Sequence, residues 1–315
     1  MKRALLPLVP LFAAFSLCGC LSCSANPDIL ALWGGDATPP TLLSVTPVSP
    51  SLVEIAFSAP VTVVEASAAW SPPDAAERVT FEFDRPVPVG AACVIDASVI
   101  DSSGNTLSFA VPFSGYNDRP ARLAINEVRA SYSRPKAEYI EFTVRESGNL
   151  AGIQIVNARN EKRPLVELPA LEVSAGDMVV WHLRSVDEGL VTETRSRDES
   201  SGVDSSPDAW DLWDDQTSAP LKPTNAILVR TRTGGTLQDA LLSAETAASD
   251  WPNEACRDAA REAFDSGLWP GGAGVAGAVR ADGMSPTRTL GKTPEGAWLV
   301  CPTGKCSPGR ENWAP

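Results

Sequence analysis

Between Thr41 and Phe113, apolar residues recur at every second position. Val53, Ile55 and Phe57 alternate with Glu54, Ala56 and Ser58; Val79, Phe81 and Phe83 alternate with Thr80, Glu82 and Asp84; Leu107, Phe109, Val111 and Phe113 continue the period. Successive side chains of an extended chain point to opposite faces, so a period of two buries one face of each run. Turn-forming clusters separate the runs: Pro47 to Pro50, Pro72-Pro73, Pro86 to Gly90 and Asp101 to Asn105. Short strands at this spacing predict a β-sandwich.

A chain of 315 residues is long enough for two ordinary domains. Its apolar fraction is normal, so it can bury real cores. The formal charge of −13 argues against nucleic acid and anionic lipid surfaces as partners, since both demand clustered Lys and Arg. It is compatible with solubility or with divalent cations. There is one histidine, His182. A Ser-His-Asp or Cys-His centre would rest on it alone, and a multi-histidine zinc site is excluded within one chain. His182 falls in Val179 to Leu183, which reads as a strand with the ring at solvent or an edge.

The N-terminus combines Lys2 and Arg3, an apolar run from Ala4 to Leu17 too short to span a bilayer comfortably, and Leu17-Cys18-Gly19-Cys20. This reads as an export signal over residues 1–19. The run Leu17-Cys18-Gly19-Cys20, which crosses its end, resembles the lipobox of bacterial lipoproteins, which implies a lipid on Cys20. Cys18 follows the bulky Leu17, and Cys23 has Cys20 at its −3 position, so Cys20 fits best; an ordinary cleaved signal is the alternative. Acyl chains contribute about 0.8 kcal/mol per buried methylene and hold a protein on a membrane without a spanning helix. Residues 20–37 read as a tether. Leu21 stands where an inner-membrane retention signal would place Asp, which favours the outer membrane. In an oxidising compartment Cys301 and Cys306 could pair across a turn, and Cys93 reads as a buried small apolar residue.

Residues 38–116 resemble the bacterial Ig-like domain of the surface-layer type. The likeness is carried by Thr38 to Pro47, by Val53-Glu-Ile-Ala-Phe-Ser-Ala-Pro-Val61 and by Asp101-Ser-Ser-Gly-Asn105, and it lapses over the irregular Val61 to Asp74. Gly115 to Pro120 reads as a boundary. Residues 121–315 resemble the lamin-tail domain through Leu123-Ala-Ile-Asn-Glu-Val128, Glu138-Tyr-Ile-Glu-Phe142, Leu150-Ala-Gly-Ile-Gln-Ile155, Leu171 to Val180, Ser285-Pro-Thr-Arg288 and Ser307-Pro-Gly-Arg-Glu-Asn312. Thr143 and Ile153 depart from that family's pattern. Together the resemblances imply an all-β chain of two Ig-like β-sandwich domains, the second carrying loop and short helix insertions.

Two insertions are expected, at about 187–220 and 236–272, the first an acidic, Ser-rich loop and the second holding a helix from about Pro252 to Ser266. Trp210, Trp213, Trp251 and Trp269 fall in them, either anchoring a partner or stapling the insertions to the sandwich; as anchors they are the candidate partner-binding residues. Glu127 and Glu141 invite an acid–base reading. Glu127 is expected to share a face with Leu123 and Ile125, and Glu141 with Tyr139. The lamin-tail resemblance implies structural carboxylates instead. Asp204, Asp208, Asp211, Asp214 and Asp215 could meet a hard cation but lack EF-hand spacing. No catalytic residue, metal ligand or cofactor is assigned. The expected role is a lipid-anchored envelope protein with non-catalytic binding or structural work, its partners the membrane and an envelope protein or glycan. The alternatives are a metal-assisted secreted hydrolase and a calcium-binding adhesion module.

Overall fold

The computed structural model describes residues 36–160, 165–185, 188–214, 221–232, 235–305 and 308–312. The leader, Cys20 and nearly all of the tether lie outside these residues. The chain is all-β, as the alternating pattern predicts, with one short α-helix among the described residues.

The first unit has six strands: β1 (Leu42–Ser49), β2 (Leu52–Ala66), β3 (Ala69–Ser71), β4 (Ala76–Glu82), β5 (Ala92–Asp101) and β6 (Thr106–Ser114). The long β2 organises them. Its first half pairs with β1 and β4, and its second half, past a register shift between Ala56 and Val61, pairs with β5. The alternation is read out as burial: Val53, Ile55, Phe57, Val79 and Phe81 are buried in one cluster with Ile95 and Val99. Phe109 and Val111 are half-buried at its margin. The stretch from Val61, irregular as a sequence, continues as strand to Ala66 and then forms β3. Cys93 is half-exposed rather than buried.

The second unit packs two sheets. One runs β11 (Leu165–Glu167), β10 (Gln154–Asn157), β15 (Asn225–Arg230), β16 (Leu237–Ala244) and β17 (Val279–Arg280). The other runs β14 (Ala209–Trp213), β13 (Met178–His182), β8 (Tyr139–Glu146), β7 (Arg122–Arg129), β18 (Leu290–Lys292) and β19 (Trp298–Val300). A small pair, β9 (Gly148–Asn149) with β12 (Glu172–Val173), completes it. Leu123, Ile125, Ile140, Phe142, Val179 and Trp181 from the second sheet meet Ile155, Ile227 and Leu241 from the first in one core. Where β7 lacks a strand partner, side chains of β16 serve: Gln238 Oε1 accepts the Leu123 N–H at 2.9 Å and Asp239 Oδ2 accepts the Ile125 N–H at 2.7 Å. These bonds satisfy backbone donors that burial would otherwise leave unpaired.

Residues 237–244, expected within the second insertion, are therefore a core strand; β16 pairs along β15 from Ser243 to Leu237. The insertion proper starts after Ala244 and carries the helix α1 (Glu254–Asp265). Its N-cap is Asn253, whose side-chain oxygen accepts the Cys256 N–H at 2.9 Å; Pro252 precedes the cap. Gly267, at φ 76°, ends the helix as expected. Cys256, Ala259, Ala260 and Ala263 are buried, and the small side chains let α1 lie close on β15 and β16. Phe264, one turn beyond the buried Ala260 and so a candidate for the apolar face by its i, i+4 spacing, is exposed instead. With α1 on one side and the sandwich on the other, β15 is buried on both faces, which is why Ala226-Ile-Leu-Val229 reads as an unbroken apolar run.

Candidate functional site

The strands β8 and β13 are also buried on both faces, but here the second face is polar. The register aligns Glu127, Glu141, Val180 and Asp211 across β7, β8, β13 and β14, and beside them Arg129, Tyr139, His182 and Trp213. Strict alternation places Glu127 with Leu123 and Ile125. The structure corrects this: a bulge at Asn126 inserts one residue opposite β8, so Glu127 turns away from the apolar core and faces Glu141 on the outer side.

Glu127, Arg129, Tyr139, Glu141, His182 and Asp211 are all 0% exposed. The Tyr139 hydroxyl donates to Glu127 Oε1 at 2.6 Å. Asn126 Nδ2 donates to Glu141 Oε1 at 2.6 Å, and the Gly309 N–H donates to Glu141 Oε2 at 2.5 Å. Burial, then the charge of Glu127, pushes Glu141 up to about 8 against the pull of those two donors. Glu141 thus keeps a proton at neutral pH, which relieves two carboxylates of facing each other as anions in a dry site. Tyr139 is pushed well above its ordinary range, by burial and then by Glu127.

His182 Nε2 lies 2.7 Å from Asp211 Oδ1, and its ring stacks on Trp213 with centroids 3.7 Å apart and planes 6° from parallel. The expectation of a solvent-facing histidine is thus corrected; the ring is sealed by β14 and the segment before it. Asp211 Oδ2 accepts the Ser206 N–H at 2.9 Å, and Glu193 accepts the Asp211 N–H at 2.7 Å. Burial raises the Glu193 carboxyl above its usual range. Arg129 Nη1 donates to Asp204 Oδ2 at 2.5 Å, and its guanidinium lies 4.6 Å from the Tyr139 ring centroid. His182 Nδ1 has no hydrogen-bond partner among the described residues, so no hydroxyl or thiol stands where a nucleophile would. This layer can hold and share protons, but it offers no open face to a substrate.

The lid over this layer is the first insertion. It is not only a loop: β14 joins β13 in parallel at the sheet edge, and the Glu193 N–H donates to the Asp211 carbonyl at 3.0 Å to cover that edge. Trp213 is held by Ser200 Oγ, 2.8 Å from its Nε1. Trp210 Nε1 donates to Asp177 Oδ2 at 3.3 Å beneath Arg197, which also pairs with Asp177. Trp251 and Trp269 are 5% and 9% exposed, with indole N–H groups donating to the carbonyls of Ala273 at 2.7 Å and Gly277 at 3.0 Å. As anchors for a partner, the buried Trp251 and Trp269 are out of reach; they staple the second insertion. Trp210 and Trp213 are half-buried and lie with the other insertion, so the four do not gather on one face.

The acids of the first insertion disperse as well. Asp204 is bound to Arg129, Asp211 to His182, and Asp208 lies 3.9 Å from Arg310; Asp215 falls outside the described residues. Among the described residues no group of three metal-ligating side chains converges. Cys301 is buried, and its proposed pairing lies outside the described residues because Cys306 does. Cys20, the lipidation candidate, does too.

Beside the polar layer, a cavity of about 450 Å³ opens to solvent. Its wall comes from three stretches of chain: Lys136 on the turn before β8, Ser205 and Ser206 on the insertion, and Lys305 and Arg310 near the C-terminus. The Arg129–Asp204 pair closes its inner end, and Glu311 lies at the wall. Sequence reading missed this pocket because its cations are isolated residues in an acidic chain. It also misses Arg129, although it places Tyr139 on the face of Glu141, where the structure has it. The signal for both was polar residues alternating with core residues on strands β7 and β8.

Comparison with known proteins bears on this unit. Residues 121–314 match the profile of a protein family described as a protein second domain, TP_1001_2nd. The chain belongs to that family. The matched residues hold both sheets, the polar layer and the basic pocket, so all three lie within the family domain. An uncharacterized protein of Treponema pallidum (strain Nichols) is 34% identical over 206 residues, 62% of this chain and 52% of that protein. The chain thus spans about half the length of that relative. A DUF4876 family protein from Bacteroides thetaiotaomicron VPI-5482 overlaps 78% of this chain and 90% of its own at 11% identity and a TM-score of 0.31.

Proposed function

We propose that this chain is an exported lipoprotein, acylated at Cys20, whose second unit does non-catalytic binding or structural work at the cell envelope. The observation that carries the non-catalytic reading is the sealing of Glu127, Glu141, His182 and Asp211, all 0% exposed, beneath the first insertion. Groups able to move protons are used to hold sheet, insertion and C-terminal segment together. The lipobox-like Leu17-Cys18-Gly19-Cys20 supports the anchor, and no helix among the described residues is long and apolar enough to cross a membrane. The lamin-tail and bacterial Ig-like resemblances support two β-modules, the first spacing the second from the lipid.

Metabolic labelling with a palmitate analogue tests the anchor. The full chain should take up label and partition into detergent, and Cys20→Ser should do neither. Label retained by Cys20→Ser, or absent from the unaltered chain, overturns the assignment.

A further inference from the structure

We infer that the cavity walled by Lys136, Lys305 and Arg310 binds the phosphate group of a small anionic ligand. The chain carries a formal charge of −13, yet three cations from two distant stretches of sequence, Lys136 before β8 and Lys305 with Arg310 near the C-terminus, line one concave surface. Lys136 and Lys305 have no ion pair among the described residues, and the contact of Arg310 with Asp208 is long at 3.9 Å, between exposed side chains. Among the described residues Glu311 is the one lining carboxylate not committed elsewhere, so the wall keeps an excess of positive charge that a bound anion would offset.

The floor of the cavity adds fixity. Asp204 is committed to the buried Arg129, so it is not free to neutralise the lysines. Ser206 adds a hydroxyl at the wall, its oxygen accepting the Asp208 N–H at 3.3 Å and its proton left to donate, whereas the Ser205 hydroxyl donates to Ser200 Oγ at 3.3 Å. A tetrahedral oxyanion presents several acceptor oxygens in different directions, which suits two ammonium groups, one guanidinium and hydroxyls better than a two-oxygen carboxylate does. A volume of about 450 Å³ takes a phosphate ester with a small organic body. Glu311 at the rim disfavours excess negative charge on that body.

The location suggests what binding would do. The pocket joins the insertion to the C-terminal segment, and Gly309 of that segment donates to Glu141. A bound phosphate would cross-link the same pieces that seal the polar layer. This inference deepens the proposed binding role and rests on it.

Calorimetric titration of the purified soluble part, residues 24–315, with glycerol phosphate at low ionic strength tests it, alongside sedimentation with vesicles containing phosphatidylglycerol. Saturable binding that salt weakens, and that falls about tenfold or more in Lys136→Ala/Lys305→Ala, is expected. Binding to glycerol phosphate alone assigns a free ligand; vesicle capture lost in the double variant assigns a headgroup. No binding of either probe, or equal binding by a double variant whose thermal unfolding matches the unaltered protein, overturns the inference. Release of inorganic phosphate from glycerol phosphate would instead sink the non-catalytic reading and leave the pocket standing.

Discussion

The N–H of Gly309 donates to Glu141 Oε2 at 2.5 Å, across 168 residues of sequence. The backbone that makes this bond is one only glycine fits. Gly309 has φ 75°, and a Cβ there would stand 2.4 Å from Ser206 Oγ. Nearby, Asn312 Nδ2 donates to the Asn126 carbonyl at 2.8 Å and the Lys292 carbonyl at 2.9 Å. The motif Pro308-Gly-Arg-Glu-Asn312 is thus a clasp that fastens the bulge on β7 and the proton-bearing glutamate on β8.

Gly309→Ala should therefore loosen the clasp. The new methyl group meets the Ser206 side chain, and the left-handed backbone is strained for alanine. A loss of about 1–3 kcal/mol of unfolding free energy is expected. Urea denaturation followed by tryptophan fluorescence measures it; an unchanged midpoint would remove the clasp from the account.

The raised Glu141 carboxyl makes stability depend on pH with a defined sign. Below its ordinary value of 4.5, folded and unfolded chains both carry the proton, and its contribution is fully present. Between 4.5 and about 8 the unfolded chain has released it while the folded chain retains it, so the unfolded state binds fewer protons and stability falls as pH rises. Above about 8 the loss is complete and the slope from this group vanishes. Glu193, raised in the same direction, adds to the fall. In Glu141→Gln the slope should flatten, with Asn126 turning its amide to present oxygen to the new NH₂ group. Unfolding free energies from pH 5 to pH 9 give the comparison; parallel curves would contradict a shifted carboxyl at this position.

Legibility in the sequence follows from how each residue is buried. Val53, Ile55 and Phe57 were readable because one face of β2 is wet and the other dry, which writes a period of two into the sequence. Glu127 was misplaced because a bulge leaves no compositional mark; Asn126 looks like any strand residue until its partner strand is known. For a related reason His182 reads as solvent-facing on a strand rightly placed, and Trp210 to Asp214 read as loop. A strand covered by its own chain's insertion looks polar and loop-like, since its buried face bonds rather than packs. The helix is legible from the sequence within about two residues: Pro252 reads as its first turn, whereas Asn253 caps it and it starts at Glu254. Trp251 and Trp269 read from sequence alone as either staples or partner anchors, because an indole on an insertion can serve both roles; their burial is what separates the two.

The pair His182 and Asp211 supplies a third test. Asp211 accepts from Ser206 as well as facing the imidazole, so Asp211→Ala orphans two buried groups at once. Leaving a buried polar group unsatisfied costs about 1–3 kcal/mol, so the loss of both bonds should be plainly measurable. The loss should be accompanied by freer cleavage of the insertion between residues 189 and 206 in limited proteolysis, because its anchor to β13 is gone. Resistance equal to the unaltered protein would show that the insertion is held by other contacts.

The tryptophans separate stapling from recognition. Trp251 and Trp269 each fill space in the second unit's core and donate to a carbonyl of the segment beyond α1, so replacement by alanine removes packing and leaves that carbonyl unpaired. Each should cost about 3–5 kcal/mol. Trp70, 37% exposed on the short β3 of the first unit, fills no such space, and Trp70→Ala should stay within about 0.5 kcal/mol. If Trp251→Ala and Trp269→Ala unfold at the same denaturant concentration as the parent, the indoles are not structural, and the partner-anchor reading regains its footing; if they unfold early while Trp70→Ala does not, the second insertion is fastened from within and any partner must be met elsewhere on the domain.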